Sequence, residues 1–322
     1  MKLEIPEVLR LRKEAICSGL KEAVKTGGAT GEAAELLEAI LLPHLSKERV
    51  EILQPLGLLP RLARGEISSE MTDVLPQISQ LKNELRELRV EHATILSMIK
   101  RFVAAAREEG KSRHARFAER LLFRAWLDES VFTPLAILVG NYLELRLEHN
   151  DRPLLAASAA SRTPVKLDLP EALRLSHAEL TVALTRASRS GARIKAVADT
   201  VIQLLESHFQ HEEAKVLRIL GLLAPLAADR FKVEWLEDFS EWEELETNES
   251  ALGLEQNALI TAAENLLAIA REEDAAEALD FAERVILRVR LDQEVLYPGA
   301  LFIRNYLRLR ARKESVEGTS SL

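Results

Sequence analysis

Histidine and glutamate recur four residues apart in this chain, a spacing that places both side chains on one face of a helix. His44 and Glu48 have this spacing, and so do His208 and Glu212. Side chains at such positions lie ~5–6 Å apart at Cβ. Imidazole and carboxylate groups at that distance can ligate a divalent metal ion such as Fe²⁺ or Zn²⁺. The spacing therefore indicates either a metal site or a buried polar network.

Similar polar residues interrupt the apolar stripe of every predicted helix near its middle. Arg124 and Asp128 have the same four-residue spacing, as do Arg288 and Asp292. One buried charge costs several kcal/mol unless it is paired or ligated. Because the interruptions occur at matched heights, we expect the groups to meet in the protein interior. They are Lys13, His44, Glu48, His92, Arg124 and Asp128, then His177, His208, Glu212, Gln256, Arg288 and Asp292.

The second half of the chain repeats the first at an offset of 164 residues. The word LGLL occurs at 56–59 and 220–223, and FAER occurs at 117–120 and 281–284. Several such words at one offset indicate an internal duplication.

The duplication predicts two domains, 1–150 and 169–322, joined by an Ala-, Ser- and Pro-rich linker at 151–168. Four amphipathic segments per domain favour an all-α protein built from two tandem up-down four-helix bundles. An irregular helical array is the alternative. The predicted helices lie at 6–26, 31–54, 69–109 and 112–148, then at 169–190, 193–220, 236–272 and 275–313.

The composition excludes several classes of protein. Lys and Arg number 43 against 51 Asp and Glu, and the net charge of −8 argues against a nucleic-acid or anionic-membrane partner. Cys17 is the single cysteine, so disulfide frameworks and cysteine-ligated metals are excluded. The sequence shows no secretory signal, and no uncharged apolar run reaches the ~18 residues of a membrane span. We therefore expect a cytoplasmic protein without a membrane partner.

Two segments of the second domain resemble a known family. HFQHEE at 208–213, preceded by the lone His177, and LDQEVLYPGALFIRNYL at 291–307 are similar to the hemerythrin-like, His-His-Glu cation-binding domain. The resemblance covers nearly the whole chain, once per repeat. It implies a four-helix bundle that holds two irons through histidines and two bridging carboxylates, and that binds dioxygen or senses oxygen or iron.

The family pattern is incomplete in both repeats, so the resemblance implies an eroded centre rather than an intact diiron one. Lys13 and Arg124 stand at histidine positions of the first repeat, and Gln256 and Arg288 stand at histidine positions of the second. The residues that match ligands are His44, Glu48, His92 and Asp128 in the first repeat, and His177, His208, Glu212 and Asp292 in the second.

Counting charges gives different expectations for the two repeats. In the first, Lys13 and Arg124 balance Glu48 and Asp128, which predicts a metal-free ion-pair core with the Lys13 ammonium in a metal position. In the second, Arg288 leaves one carboxylate uncompensated. That repeat can hold one iron or another divalent metal, or no metal if a histidine is protonated.

These features favour a non-enzymatic, hemerythrin-like binding protein that responds to a cation or to oxygen, with at most one metal, in the second repeat. O₂ is then a possible small ligand. Two alternatives stay open. One is a metal-free helical scaffold or interaction module with ion-pair cores. The other is a metal-dependent oxidase, although no separate acid–base group or substrate pocket is visible in the sequence.

Overall fold

The computed structural model describes residues 4–148, 170–232, 234–237 and 243–319, and every regular element in these ranges is helical. The all-α prediction is therefore confirmed. The chain divides into two compact units. The first unit comprises residues 1–62 and 66–151, and the second unit comprises residues 63–65 and 152–322. The predicted linker at 151–168 lies outside the described residues.

Four long helices surround the core of the first unit. Helix α1 packs on α2 and α6, and α5 packs on the same two helices. Leu20, Leu37 and Phe102 are fully buried between them. The helices in this half of the chain are α1 Glu7–Lys25, α2 Gly28–Glu48, α3 Gln54–Leu56, α4 Leu59–Ala63, α5 Leu75–Glu108, α6 Ser112–Leu127 and α7 Thr133–Glu148.

The second unit has the same pattern of neighbours. Helix α8 packs on α9 and α14, and α13 packs on α9 and α14. Val201, Leu259 and Phe281 are fully buried between them. The helices are α8 Glu171–Ala187, α9 Ala192–Glu212, α10 Arg218–Leu220, α11 Leu223–Ala227, α12 Glu234–Glu237, α13 Glu243–Glu272, α14 Ala276–Leu291 and α15 Tyr297–Thr319.

The helix starts follow from local chemistry. Pro6 and Pro170 immediately precede α1 and α8, so no backbone N–H is left unpaired at those positions. Glu7 and Glu171 lie in the first turns, where a carboxylate interacts favourably with the helix dipole. Each pair of positions is separated by the repeat offset.

Left-handed backbone positions also recur at that offset. Gly65 (φ 74°) corresponds to Asp229 (φ 54°), and Gly110 (φ 67°) corresponds to Asp274 (φ 50°). Glycine adopts this conformation without a steric cost, and aspartate is one of the few other residues that visit it. The second half of the sequence therefore keeps these turn conformations of the first half with aspartate in place of glycine.

Within the described ranges, four π-helical turns interrupt segments that the sequence predicted as continuous helices. A π turn accommodates one extra residue through i→i+5 hydrogen bonds, and such turns are frequent at functional sites. Two follow α2 and α9, and two follow α6 and α14. They are π1 Arg49–Leu53, π2 Asp128–Phe132, π3 Glu213–Leu217 and π4 Asp292–Leu296.

Candidate functional site

The four acidic residues of the predicted sites lie where α-helices pass into π turns. Glu48 and Glu212 end α2 and α9, whereas Asp128 and Asp292 begin π2 and π4. All four side chains are buried. The inward direction that the apolar stripes predicted is therefore present in both units, and the local helix geometry changes at these residues.

In the first unit, Arg124 joins the two carboxylates. Its Nε lies 2.6 Å and 2.7 Å from the oxygens of Asp128, and its Nη2 lies 3.1 Å from both oxygens of Glu48. The Arg124 side chain is 9% exposed, and Glu48 is fully buried. The guanidinium thus pairs with both carboxylates, which also bond to each other, as in the ion-pair core expected from the sequence.

Glu48 and Asp128 respond differently to this environment. Burial tends to raise the pKa of Glu48, but the charge of Arg124, the neighbouring His44 and hydrogen bonds from Asp128 and Arg124 together outweigh it, and the pKa is lowered. Burial raises the pKa of Asp128 well above its ordinary value, and the nearby Glu48 carboxylate adds to this effect. We therefore assign one proton to this pair, on Asp128, so that Arg124 and Glu48 balance each other.

The two histidines of the first unit bond to each other. His92 Nε2 lies 2.9 Å from His44 Nε2, and His44 Nδ1 lies 3.2 Å from a Glu91 oxygen. Burial lowers the pKa of His92 to about 4, so this ring is neutral near pH 7. If His44 donates through Nδ1 to Glu91, its Nε2 accepts from His92. The Nε2 atoms of both rings then bond to each other and are not available as ligands.

Lys13 does not take the position that the sequence predicted. Its Nζ donates to the carbonyl oxygen of Leu45 at 3.1 Å, and its side chain is half-buried. Among the described residues, no carboxylate lies within ion-pair distance of Nζ, and Glu48 pairs with Arg124 instead. The prediction that the Lys13 ammonium takes a metal position among the carboxylates is therefore wrong, because the backbone carbonyl of Leu45, near the end of α2, accepts its hydrogen bond.

A small cavity separates the histidine pair from the arginine. Its volume is ≈ 20 Å³, enough for about one water molecule. His44, His92, Arg124 and Asp128 line its polar side, and aliphatic side chains line the rest. The four predicted ligands His44, Glu48, His92 and Asp128 are thus neighbours, but they are divided into a histidine pair and a carboxylate–arginine cluster.

In the second unit, Arg288 again lies between two carboxylates, with a different geometry. Its Nη2 donates to both oxygens of Glu212 at 2.8 Å, and its Nη1 forms an ion pair with Asp292. Its Nε has no hydrogen-bond partner. Although burial opposes ionisation, the charge of Arg288 and a bond from His177 lower the pKa of Glu212 to about 2.

His177 is held between a half-exposed carboxylate and the buried cluster. Its Nδ1 lies 2.8 Å from Glu213, and its Nε2 lies 3.1 Å from both a Glu212 oxygen and Arg288 Nη2. The ring also stacks on Phe209, with the centroids 3.6 Å apart. Metal-binding histidines commonly donate their outer N–H to a carboxylate in this way. The arrangement directs Nε2 of His177 inward.

His208 is the least satisfied polar group of the cluster. It is 1% exposed, and neither ring nitrogen has a hydrogen-bond partner among the residues that the structure describes. Its Nε2 lies 3.6 Å from Asp292 Oδ2. Burial lowers its pKa, which keeps the ring neutral. The side chains of Gln256 and Tyr297 lie beside it and interact with each other.

Three ligand atoms of the second unit converge. One atom each from His208, Glu212 and Asp292 lies within 4.8 Å of the others, and in the described part of the chain this is the one such group. His177 contacts Glu212 but lies outside the group. The donor set suits a single ion such as Zn²⁺ or Fe²⁺. It does not fit two irons, because Arg288 lies between the carboxylates that would bridge them.

Three residues of these clusters escaped the sequence analysis. Glu91 and Glu213 are the carboxylates that hold His44 and His177, and Tyr297 faces His208 with ring centroids 6.4 Å apart. Glu91 stands next to His92, and Glu213 stands next to Glu212. This position beside a candidate ligand was the signal in the sequence that could have identified them. Tyr297 lies five residues after Asp292, a spacing that faces inward only because of π4.

Comparisons with models of known protein families, with curated proteins and with solved structures give no match to this chain. Within the described ranges, no helix combines the length and the apolar character needed to cross a membrane.

Proposed function

We propose that the chain consists of two tandem hemerythrin-like four-helix bundles that arose by duplication, and that the second binds one divalent metal ion. His208, Glu212 and Asp292 would hold the ion, with His177 as a fourth donor. The first bundle serves as a metal-free structural counterpart. The protein is then a cation-binding protein rather than an enzyme. With iron bound, the site would supply sensitivity to dioxygen; zinc would not.

The duplication is supported by elements that recur at one offset. The bounds of α2 and α9 differ by 164 residues, as do those of α6 and α14. All four π turns obey the same offset. The left-handed positions described above follow it too, even where glycine is replaced by aspartate. Agreement at helices, irregular turns and strained positions together favours one ancestral unit.

The observation that carries the metal assignment is the buried His208, whose two nitrogens lack a partner beside Glu212 and Asp292. Buried polar groups are nearly always hydrogen-bonded or ligated. A metal ion ligated by one nitrogen of His208 would satisfy that atom and would also bind the carboxylates of Glu212 and Asp292. The matched residue of the first unit, His44, bonds to His92 and offers no such vacancy.

The charge balance points in the same direction. In the second unit, Arg288 contacts two buried carboxylates, those of Glu212 and Asp292, so one negative charge is uncompensated when the histidines are neutral. One divalent cation would supply the missing charge. In the first unit, a proton on Asp128 removes the excess, which needs no metal.

Metal analysis of the full-length protein tests this assignment. After loading with Zn²⁺ or with anaerobic Fe²⁺ and gel filtration, we expect about one metal per chain. His208→Ala and Glu212→Gln should abolish the binding. His44→Ala, the same change at the matched position of the first unit, should leave it intact. Substoichiometric metal that is unchanged by His208→Ala would refute the assignment.

A second candidate function has its own observation. Arg288 already contacts both carboxylates, so the second unit can also balance most of its charge without a metal. The chain would then be a metal-free scaffold or interaction module. The same loading experiment separates the two proposals, since a folded wild-type chain that binds no metal favours the scaffold.

A further inference from the structure

We infer that Arg288 controls the metal affinity of the second unit, because its guanidinium occupies the space between Glu212 and Asp292 that a cation would take. This inference rests on the proposed function, since it concerns the same carboxylates. Arg288 contacts both oxygens of Glu212 through Nη2 and contacts Asp292 through Nη1. A metal ion and this guanidinium are therefore alternative partners of one pair of carboxylates.

The burial of the cluster makes simultaneous occupation unfavourable. The side chains of Arg288, Glu212 and Asp292 are 2%, 0% and 0% exposed, respectively. Like charges repel strongly at ~4 Å where water does not screen them. A divalent ion that contacts Glu212 and Asp292 would lie at about this distance from the guanidinium. Metal binding thus requires Arg288 to withdraw from at least one carboxylate.

Arg288 contacts its carboxylates through different nitrogens from Arg124. Arg124 Nε donates to both oxygens of Asp128, and its Nη2 donates to Glu48. Arg288 uses Nη2 for Glu212 and Nη1 for Asp292, and its Nη2 also lies 3.1 Å from His177 Nε2. Three of the four groups that would hold the ion are therefore already in contact with the Arg288 guanidinium.

This competition also implies selectivity between metals. A cation must bind imidazole and carboxylate strongly enough to displace a buried ion pair. Zn²⁺ and Fe²⁺ suit an imidazole donor such as His208, whereas Mg²⁺ and Ca²⁺ prefer oxygen ligands alone. We expect the site to reject Mg²⁺ and Ca²⁺ at concentrations at which it binds Zn²⁺.

Zn²⁺ affinities of full-length variants, measured by competition with a chromophoric chelator, test the inference. Arg288→Met should bind Zn²⁺ about tenfold or more tightly than the wild type, because the competing charge is gone. Arg284→Met is the matched control. Arg284 lies one turn earlier in α14 and pairs with Glu179 and Asp280, so this change removes an equal charge without freeing the metal-site carboxylates. Its affinity should stay within about twofold of the wild type.

A rescue experiment separates competition from a structural role. Arg288→Ala leaves space for a free guanidinium ion. Guanidinium chloride at about 10 mM, far below denaturing concentrations, should weaken Zn²⁺ binding by this variant several-fold. Sodium chloride at the same ionic strength should not. The wild type should respond equally to the two salts, because its own guanidinium already occupies the space.

Each outcome has a distinct meaning. If the wild type and Arg288→Met bind Zn²⁺ equally, or if Arg284→Met gains as much, the inference is overturned while the proposed function stands. If Arg288→Met binds and the wild type does not, the inference stands and the native chain is not a metal-binding protein. If neither binds while both are folded by circular dichroism, both proposals fail. Should Arg288→Met not fold, Arg288→Gln replaces it in the same comparison.

Discussion

The two units place an arginine, a glutamate and an aspartate at matched positions, yet the surrounding residues complete these clusters differently. In the first unit, Lys13 bonds to the backbone and His44 pairs with His92, while a proton on Asp128 completes the charge balance. In the second unit, His177 stands at the position of Lys13 and is held by Glu213, and His208 is left without a partner.

The difference shows that few replacements separate a polar core in which the histidines are paired from one in which a histidine is left without a partner. Gln256 stands in the second unit where the first has His92, so the partner that satisfies His44 has no equivalent beside His208. The shared arginine cannot account for the contrast, since it is present in both. The residues that differ on α1 and α8, and on α5 and α13, decide whether ligand atoms are available.

Removing Arg124 should have the largest effect. Arg124→Met leaves Glu48 and Asp128 buried without their cation, and we expect it to destabilise the first unit by ~3–5 kcal/mol. Urea unfolding of the full chain, followed by circular dichroism, measures this loss. Saturating Zn²⁺ should restore stability to Arg288→Met but not to Arg124→Met. Equal restoration of both variants would remove the proposed distinction between the units.

The second largest effect should be the contribution of His92 to the pH dependence of stability. The pKa of His92 falls from ~6.5 in the unfolded chain to about 4 in the folded one. The unfolded state therefore binds the proton first, and this stability is lost as the pH falls from about 6.5 to 4. We expect a loss of ~2 kcal/mol at pH 5. His92→Gln, which copies Gln256, should lack this contribution. An identical pH profile for variant and wild type would contradict it.

Lys13→Met should have a smaller effect than the sequence suggested. A buried Glu48 that depended on Lys13 would lose ~3–5 kcal/mol on this change. The observed partner is the Leu45 carbonyl, and one hydrogen bond from a charged group contributes about 1.5 kcal/mol at a half-exposed position. Thermal melting distinguishes the two values. A loss near the upper figure would mean that Lys13 does compensate the carboxylate cluster.

The smallest effect concerns the turns. Asp274 and Gly110 share a left-handed conformation at matched positions. Asp274→Gly should stabilise the second unit by up to about 1 kcal/mol, and Gly110→Asp should destabilise the first by a similar amount. The difference in urea midpoint between each variant and the wild type reports both changes. Equal signs for the two substitutions would show that these turns are not equivalent.

Much of the architecture could be predicted from the sequence because helices leave a regular trace. The 3.6-residue periodicity located the long helices, and the inward direction of Arg124 and Asp128 followed from interrupted stripes. Their four-residue spacing also anticipated their ion pair, which is present. These predictions succeeded because each needed only local spacing and the high cost of an unpaired buried charge.

The partners from other helices could not be predicted in the same way. Lys13 bonds to a backbone carbonyl, an acceptor that every residue carries and that no pattern marks. Glu91 reaches His44 across 47 positions, and this pairing depends on how two helices are rotated against each other. The π turns were missed because one extra residue per turn leaves no compositional signal.

The extra residue in each π turn lies beside a buried carboxylate, and it sets the rotation of the helix that follows. Successive residues in an α-helix are rotated by ~100° about its axis. If π4 were to relax to α geometry, α15 would have to turn by about that angle relative to α14, or the surplus residue would have to move further along. Such a change beside Asp292 would therefore alter which residues of α15 face the interior.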